Sequence, residues 1–588
     1  MFPASGEPIC KRGAWPIHDV NRGLTMTSSH FLVASIAAAF VLCFQSGSDS
    51  AHAQNKPVVQ LSGQVSSAKD GPMEGVLVTA KKDGSTVAIT VVSDEKGVYS
   101  FPAPRLNPGH YTLSIRAADY ELDGAATADV VADRETEVNL KLRQTEELAS
   151  QLTGSEWLNS ATGTDKQKSD LLRCVNCHTV ERIFRSTHST SEFVQLLPRM
   201  AGYTNNSMST TTILHAQLRP GKAELTDVSL NNKTFKRIAE YLSTINLHGR
   251  STWDFKLKAF ARPSGKATHV IITEYALPRA TMEPHDVFVG KNGIVWASNF
   301  GEQTLIKLDP KTGKVTEFPV PEVRKGFPTG MRSLDADGEG NLWIGNQYQG
   351  DLVRFDTKSE QFRLYSLPAA QQNGATQLSA AAASASTVDG KIWTQNNGIP
   401  AIHRVDIKTG KFETFVPFAN EPKKSHNIYD VWPDAQNNVY FPDFSHEAIG
   451  RVDAKTGKIT FWQAPTKGSR PRRGGVDRQG RVWYAGFGAN LIGMFDSKTE
   501  KFKEWKSPSP WVGPYDAVPD KDGNVWSTGQ LSDRVMRLNP KTGEITEYLL
   551  PRQTDMRDAT VDNSTNPPTF WVGNNRGASI VKLEPLDQ

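Results

Sequence analysis

Gly293-Ile294-Val295-Trp296, then Leu305-Ile306-Lys307-Leu308-Asp309-Pro310-Lys311-Thr312-Gly313-Lys314, then Thr316-Glu317-Phe318-Pro319, is a phrase that this chain repeats through its C-terminal half. Its aromatic returns at Trp343, Trp393, Tyr440, Trp483, Trp526 and Trp571, 43 to 50 residues apart. A period of that size, with short alternating strands separated by Asp-Gly or Thr-Gly turns, is the signature of a β-propeller blade. Seven copies predict a seven-bladed propeller over residues 265–588. The seventh copy stops at Ile580-Val581-Lys582-Leu583 without its outer strand, and an orphan Ile272-Thr273-Glu274-Tyr275 precedes the first. Pairing the two would lock the ring and remove two exposed sheet edges.

The repeat also says where a site should lie. Eleven residues before the aromatic is the start of each innermost strand, occupied by His285, Arg332, Ala382, Tyr429, Arg472 and Tyr515. Arg557 is the equivalent in the seventh copy, after a short insertion. Three residues after the aromatic stand Asn299, Asn346, Asn396, Asp443, Gly486, Gly529 and Asn574, which should return to the same rim. The catalytic candidates are therefore His285, Arg332, Tyr429, Arg472, Tyr515 and Arg557. One reading is a cationic and aromatic funnel for an anionic or polyhydroxylated ligand, because Arg supplies a planar fork of donors and Tyr a flat amphipathic surface. The other is structural: Asp286, Asp430, Asp516 and Asp558 serve as turn acceptors, and the arginines pair with them.

Ala448-Ile449-Gly450-Arg451-Val452-Asp453 and Gly543-Glu544-Ile545-Thr546-Glu547 make Ile271 to Leu586 resemble the virginiamycin B lyase family of streptogramin lyase-like propellers. The resemblance implies a magnesium-assisted lyase that opens a cyclic peptide ester, with histidine and glutamate on one propeller face. The family's blades favour Trp-Phe-Thr-Glu. Here no glutamate stands three residues after any of the seven aromatics.

Cys174-Val175-Asn176-Cys177-His178 carries a different chemistry. Two thiols two residues apart, followed at once by histidine, form the attachment site for c-type haem. Cys174 and Cys177 would form thioethers with one covalent haem c, and His178 would be the proximal iron ligand. A zinc site would need a second ligand pair of similar spacing, and a thioredoxin-like pair a strand-helix context. Residues 157–248 can hold a small all-α monohaem cytochrome c domain. Ser191 to Met200 and Thr234 to Ile245 both have helical apolar spacing, and the second resembles the C-terminal helix of class I cytochromes c. Met200 is the first choice for the sixth ligand and Met208 the second, with His188 and His215 as alternatives.

Leu61-Ser62-Gly63-Gln64-Val65, Gly75-Val76-Leu77-Val78-Thr79-Ala80 and Gly97-Val98-Tyr99-Ser100-Phe101 alternate apolar and polar residues between turn formers, as a small antiparallel sandwich would. Residues 57–143 resemble the carboxypeptidase regulatory-like family. That implies a prealbumin-like β-sandwich, often grouped with carbohydrate-binding folds, acting as a spacer or adhesion module. Residues 144–156 read as a linker.

Residues 1–53 read as a signal peptide: Lys11, Arg12 and Arg22 precede an apolar run from Phe31 to Cys43, and Ala51-His52-Ala53 is a small-x-small cleavage site. Cys10 and Cys43 would leave with it. No later stretch is long and apolar enough to span a bilayer. Lys+Arg 67 against Asp+Glu 63 gives +4, which argues against a nucleic-acid partner. The whole reads as a multidomain, mainly β chain: an exported, periplasmic or secreted, haem electron-transfer protein. Its propeller would bind a small-molecule substrate or electron donor, and its haem would serve a redox partner protein. The alternatives are a streptogramin lyase-like C–O lyase or hydrolase with a fused cytochrome, and a surface or carbohydrate-binding redox carrier.

Overall fold

The computed structural model describes residues 59–587 except 177, 204–231, 328 and 375. The leader with Cys10 and Cys43, and Cys177, Met208 and His215, lie outside the described residues.

Local chemistry explains the repeat. In the Asp-Pro-Lys-Thr-Gly turn the Asp309 carboxylate accepts from the Lys311 N–H at 3.0 Å and the Thr312 hydroxyl at 2.9 Å. Gly313 closes the turn at φ 73°, a conformation that favours glycine. The indoles of Trp343, Trp483 and Trp526 donate to Asp337, Asp477 and Asp520 at 3.0, 2.9 and 3.0 Å. The recurring aromatic is thus a core residue with a fixed polar anchor. Trp296 packs on Leu342, Ile344 and Phe355 of the next sheet, so each unit buries its neighbour's face.

Seven antiparallel sheets follow in a propeller-like array, each counted outward from its innermost strand. Those strands are Pro284–Val289, Met331–Ala336, Trp432–Pro433, Pro471–Val476, Pro514–Pro519 and Met556–Asp562. In the third sheet the inner strand shrinks to a bridge between Ala382 and Trp393. The strand Pro284–Val289 packs against Met556–Asp562, so the first sheet meets the seventh.

The orphan strand, Val270–Ala276, pairs with Ser579–Pro585 along its whole length. It is not an outer edge. Its other side pairs with Val87–Val92, joining the seventh sheet to one sheet of the N-terminal sandwich in a single eight-stranded sheet. An edge strand exposes unpaired N–H and C=O groups, and the sandwich supplies their partners. Ile272 is fully buried at this seam, in one core with Leu77 and Val92 of the sandwich and Val581 and Leu583 of the propeller. The Arg105–Glu584 and Arg116–Asp533 ion pairs, 3.0 and 2.7 Å, cross the same boundary. The sandwich is not wholly antiparallel as expected: Val59–Ser67 runs parallel to both Leu140–Gln144 and Thr136–Glu137.

Between sandwich and propeller lies a small helical segment: Gly154–Ser160, Asp165–Asp170, Glu181–Phe184, Thr190–Tyr203 and Lys233–Ile245. Thr153 and Glu156 form a capping box at its first helix. Trp157 stacks on Phe184 at 4.9 Å, and the core around it continues into Phe487 and Leu531 of the propeller. Residues 144–156 are no free tether, since the Ser155 N–H donates to the Leu531 carbonyl at 2.9 Å. Among the described residues no helix is long and apolar enough to cross a membrane.

Ile272→Ala should cost about 2–5 kcal/mol, the range for truncating a buried aliphatic residue. Urea unfolding followed by tryptophan fluorescence checks this. Because the seam belongs to both domains, the loss should lower the midpoint of the sandwich and of the propeller together.

Candidate functional site

Five innermost strands share one irregularity. The register shifts between Pro284 and Val287, Met331 and Leu334, Pro471 and Gly474, Pro514 and Ala517, and Met556 and Ala559. A bulge twists the strand and re-aims its side chains. Each bulge contains the predicted position and the residue after it, which produces two sets of side chains at the propeller axis.

The first set unites all six predicted residues. Arg472 donates to the Tyr429 hydroxyl at 2.8 Å, and Arg332 to the hydroxyls of Tyr429 and Tyr515 at 3.2 and 3.4 Å. The two hydroxyls are 3.1 Å apart, and His285 Nε2 lies 3.4 Å from that of Tyr515. The Arg472 guanidinium stacks 4.0 Å over the Tyr515 ring and 4.4 Å over Phe487. Arg557 pairs with Asp555 at 3.1 Å. The expected open funnel is corrected: Tyr429, at 6 % exposure, is the least buried of the six. The mouth is covered by the helical segment, whose core includes Phe487 and Leu531.

Of the second set, the four aspartates were expected as acceptors and Arg473 was missed. Arg473 stands where other copies carry Asp286, Asp430, Asp516 and Asp558, and it pairs with Asp286 at 2.7 Å and Asp558 at 3.0 Å. One cation in a column that otherwise holds four aspartates, Ser333 and Ala383 was the legible signal. Burial and the Asp558 carboxyl beside it push Asp516 well up, and burial also pushes Asp558 well up. Protons thus relieve the crowding around a single arginine. The Asn row does not line the mouth. Asn299 Oδ1 accepts from the N–H groups of Glu283, Gly301 and Glu302, which makes it a loop staple.

In the first set charge is short of anions. Burial raises the Tyr429 phenol, but Arg472, Arg332 and Arg557 outweigh it and pull the phenol far below its ordinary range. Burial raises Tyr515, and the charge on Tyr429 raises it further. Burial with Arg332, Arg557 and Arg473 drives His285 well down, so it is held neutral, its Nδ1 paired with Asp286. The surrounding guanidinium groups thus favour the anionic form of Tyr429.

Val175, within the Cys-x-x-Cys-His stretch, lies over this set. Leu171–Asn176 forms a 3₁₀ turn, and its Val175 carbonyl accepts from Arg576 at 3.0 Å and Gln530 at 3.5 Å. Gln530 also accepts from Arg472 at 2.7 Å and donates to Asp555 at 3.0 Å. An unbroken string of hydrogen bonds therefore joins Val175 to Tyr429. Cys174 and His178 are half-buried, and His178 Nδ1 is 2.9 Å from the Thr179 carbonyl. Met200 is half-buried in the helix Thr190–Tyr203. His188 packs its ring against Phe193 at 5.4 Å.

Native protein should show the near-ultraviolet band of one tyrosinate at neutral pH, and Tyr429→Phe should lose it. The sign for stability follows. The folded phenol loses its proton well below the unfolded value near 10, so over that interval the unfolded chain binds the extra proton and stability rises with pH. The slope from this group is at most about 1.4 kcal/mol per pH unit. It should be absent from denaturation curves of Tyr429→Phe.

Residues 263–486 match the virginiamycin B lyase family, and residues 60–143 match the carboxypeptidase regulatory-like domain. No curated protein matches the chain. Among solved structures, a selenomethionine-substituted virginiamycin B lyase from Staphylococcus aureus is 21% identical with a TM-score of 0.46, covering 53% of this chain and 99% of that one. A streptogramin B lyase is 20% identical with a TM-score of 0.47, covering 55% and 99%. The chain is thus similar to the carboxypeptidase regulatory-like domain over residues 60–143 and to the virginiamycin B lyase family over residues 263–486.

Proposed function

We propose that this chain is an exported monohaem c-type electron-transfer protein, periplasmic or secreted, with haem c held by Cys174, Cys177 and His178. The observation that carries the reading is the Cys-x-x-Cys-His motif tied through Val175 to Gln530 and Arg576 over the propeller axis. The donor set fits the group. Cys174 and Cys177 offer thiols at the spacing that two thioethers need. The Thr179 carbonyl engages His178 Nδ1, which leaves Nε2 for a metal. Burial, helped by Arg576 and Arg182, outweighs the bond to Thr179 and lowers the His178 pKa, favouring the neutral imidazole that ligates. Bound haem would supply a one-electron couple. The protein's own part is to hold that couple against a rigid cationic cluster whose hydrogen bonds run from Val175 through Gln530 and Arg472 to Tyr429. The electron donor is a small molecule or a redox partner protein.

A second reading is a C–O lyase or hydrolase of the streptogramin lyase kind, favoured by the family match over residues 263–486. His285, neutral and paired with Asp286, has the attributes of a general base. It is buried, however, and the bulge positions beside it present arginine and tyrosine. Ring opening of a cyclic peptide ester by the purified chain, lost in His285→Ala, would favour this reading over the first.

Cys174→Ser or Cys177→Ser should leave one thioether, and the double variant should carry no haem that survives denaturing electrophoresis. Haem stain persisting in the double variant contradicts the proposal. Met200→Ala should lower the midpoint potential, because thioether ligation raises it. If the potential is unmoved, Met200 is not the sixth ligand.

A further inference from the structure

The fourth sheet departs at one point from the four companions that carry asparagine there, Asn299, Asn346, Asn396 and Asn574. Where Asn299, Asn396 and Asn574 staple their loops, it carries Asp443. Oδ1 of Asp443 keeps the asparagine's task, accepting from the N–H groups of Asn427 and Ser445 at 3.3 and 3.1 Å. Oδ2 replaces the amide NH2, turning a donor into an anionic acceptor. Two histidines converge on that oxygen: Nδ1 of His426 at 2.7 Å and Nδ1 of His446 at 3.0 Å. At the positions equivalent to His426 the first, third and seventh sheets have Met282, Thr376 and Thr554, and at those equivalent to His446 they have Glu302, Ile399 and Gly577. The three changes occur together in one blade.

We propose that His426, Asp443 and His446 form a mononuclear site for a borderline divalent cation, of which Zn2+ is the test case. One donor atom from each residue lies within 4.8 Å of the others, and the two-nitrogen, one-oxygen set suits zinc and its neighbours better than magnesium or calcium. Asp443 is pre-aimed by its two backbone bonds, and Phe418 stacks on the His426 ring at 3.7 Å, fixing its plane. A second observation points the same way. His426 Nε2 is buried without a hydrogen bond, its side chain 5 % exposed, and Glu421 Oε2 lies 3.4 Å from it. A cation on Nδ1 would force the proton onto Nε2 and turn it into a donor facing Glu421, the carboxylate–histidine–metal arrangement of many metal sites. His446 is 41 % exposed, so solvent or a substrate can reach the fourth position. The site stands apart from the axial cluster and does not depend on the haem proposal.

Equilibrium dialysis of the chelator-stripped full chain against Zn2+, with zinc counted separately from iron, tests it. One zinc per chain is expected, with X-ray absorption at the zinc edge showing two imidazoles. Asp443→Asn installs the residue that four other blades use, so the fold should stand, yet affinity should fall by more than about 100-fold, beyond the loss of an outer-shell partner. His446→Ala, at a half-exposed position, should do the same. No zinc uptake by the unmodified chain, or equal uptake by both variants, overturns the proposal.

Discussion

Four guanidinium groups buried around one axis are the constraint on which this architecture turns. Arg332, Arg472, Arg473 and Arg557 are each at most 1 % exposed, and a buried charge is tolerated only when it is paired and hydrogen-bonded. The structure solves this in two ways. Around Arg473 it supplies more carboxylates than one cation needs and lets protons reduce the surplus. Around the other three it supplies two phenols, one aspartate and one glutamine, and the unbalanced positive charge favours ionisation of Tyr429. The bulge in each of five inner strands brings these groups to the axis. Aromatic stacking then holds the planes of the guanidinium groups without adding charge.

The rest of the chain keeps water away from that cluster. The helical segment lies over the mouth, sharing its core with Phe487 and Leu531, and the Val175 carbonyl completes the hydrogen bonding of Gln530 and Arg576. The sandwich acts at the opposite end of the chain's logic, pairing with the strand that completes the seventh sheet. Sandwich, helical segment and propeller are thus joined by backbone pairing, side-chain packing and polar contacts. A spacer module on a flexible tether would show none of these.

Much of this was legible in the sequence, for identifiable reasons. The period of the aromatics matches the number of sheets because every copy buries its aromatic against a neighbour, with an aspartate anchoring the indole at Trp343, Trp483 and Trp526. The eleven-residue offset located His285, Arg332, Tyr429, Arg472 and Tyr515, and allowance for an insertion located Arg557, because the innermost strands begin at one register. Covering of the mouth was not legible: it depends on where residues 150–184 pack, and no local pattern encodes that. The parallel pairing of Val59–Ser67 was hidden too, since alternation along a strand does not reveal the direction of its partner. Arg473 and Asp443 were readable in principle as the odd residue in an aligned column. The triad with His426 and His446 needed the fold, because loop residues carry no periodicity.

The proposed function stands or falls on covalent haem at Cys174 and Cys177. The most direct measurement is the intact mass, under denaturing conditions, of the full chain exported through a compartment that attaches c-type haem. A single species heavier than the polypeptide by one haem is expected. A mass equal to the polypeptide alone would contradict it, leaving the Cys174–His178 loop as a structural cap on a virginiamycin B lyase-like propeller.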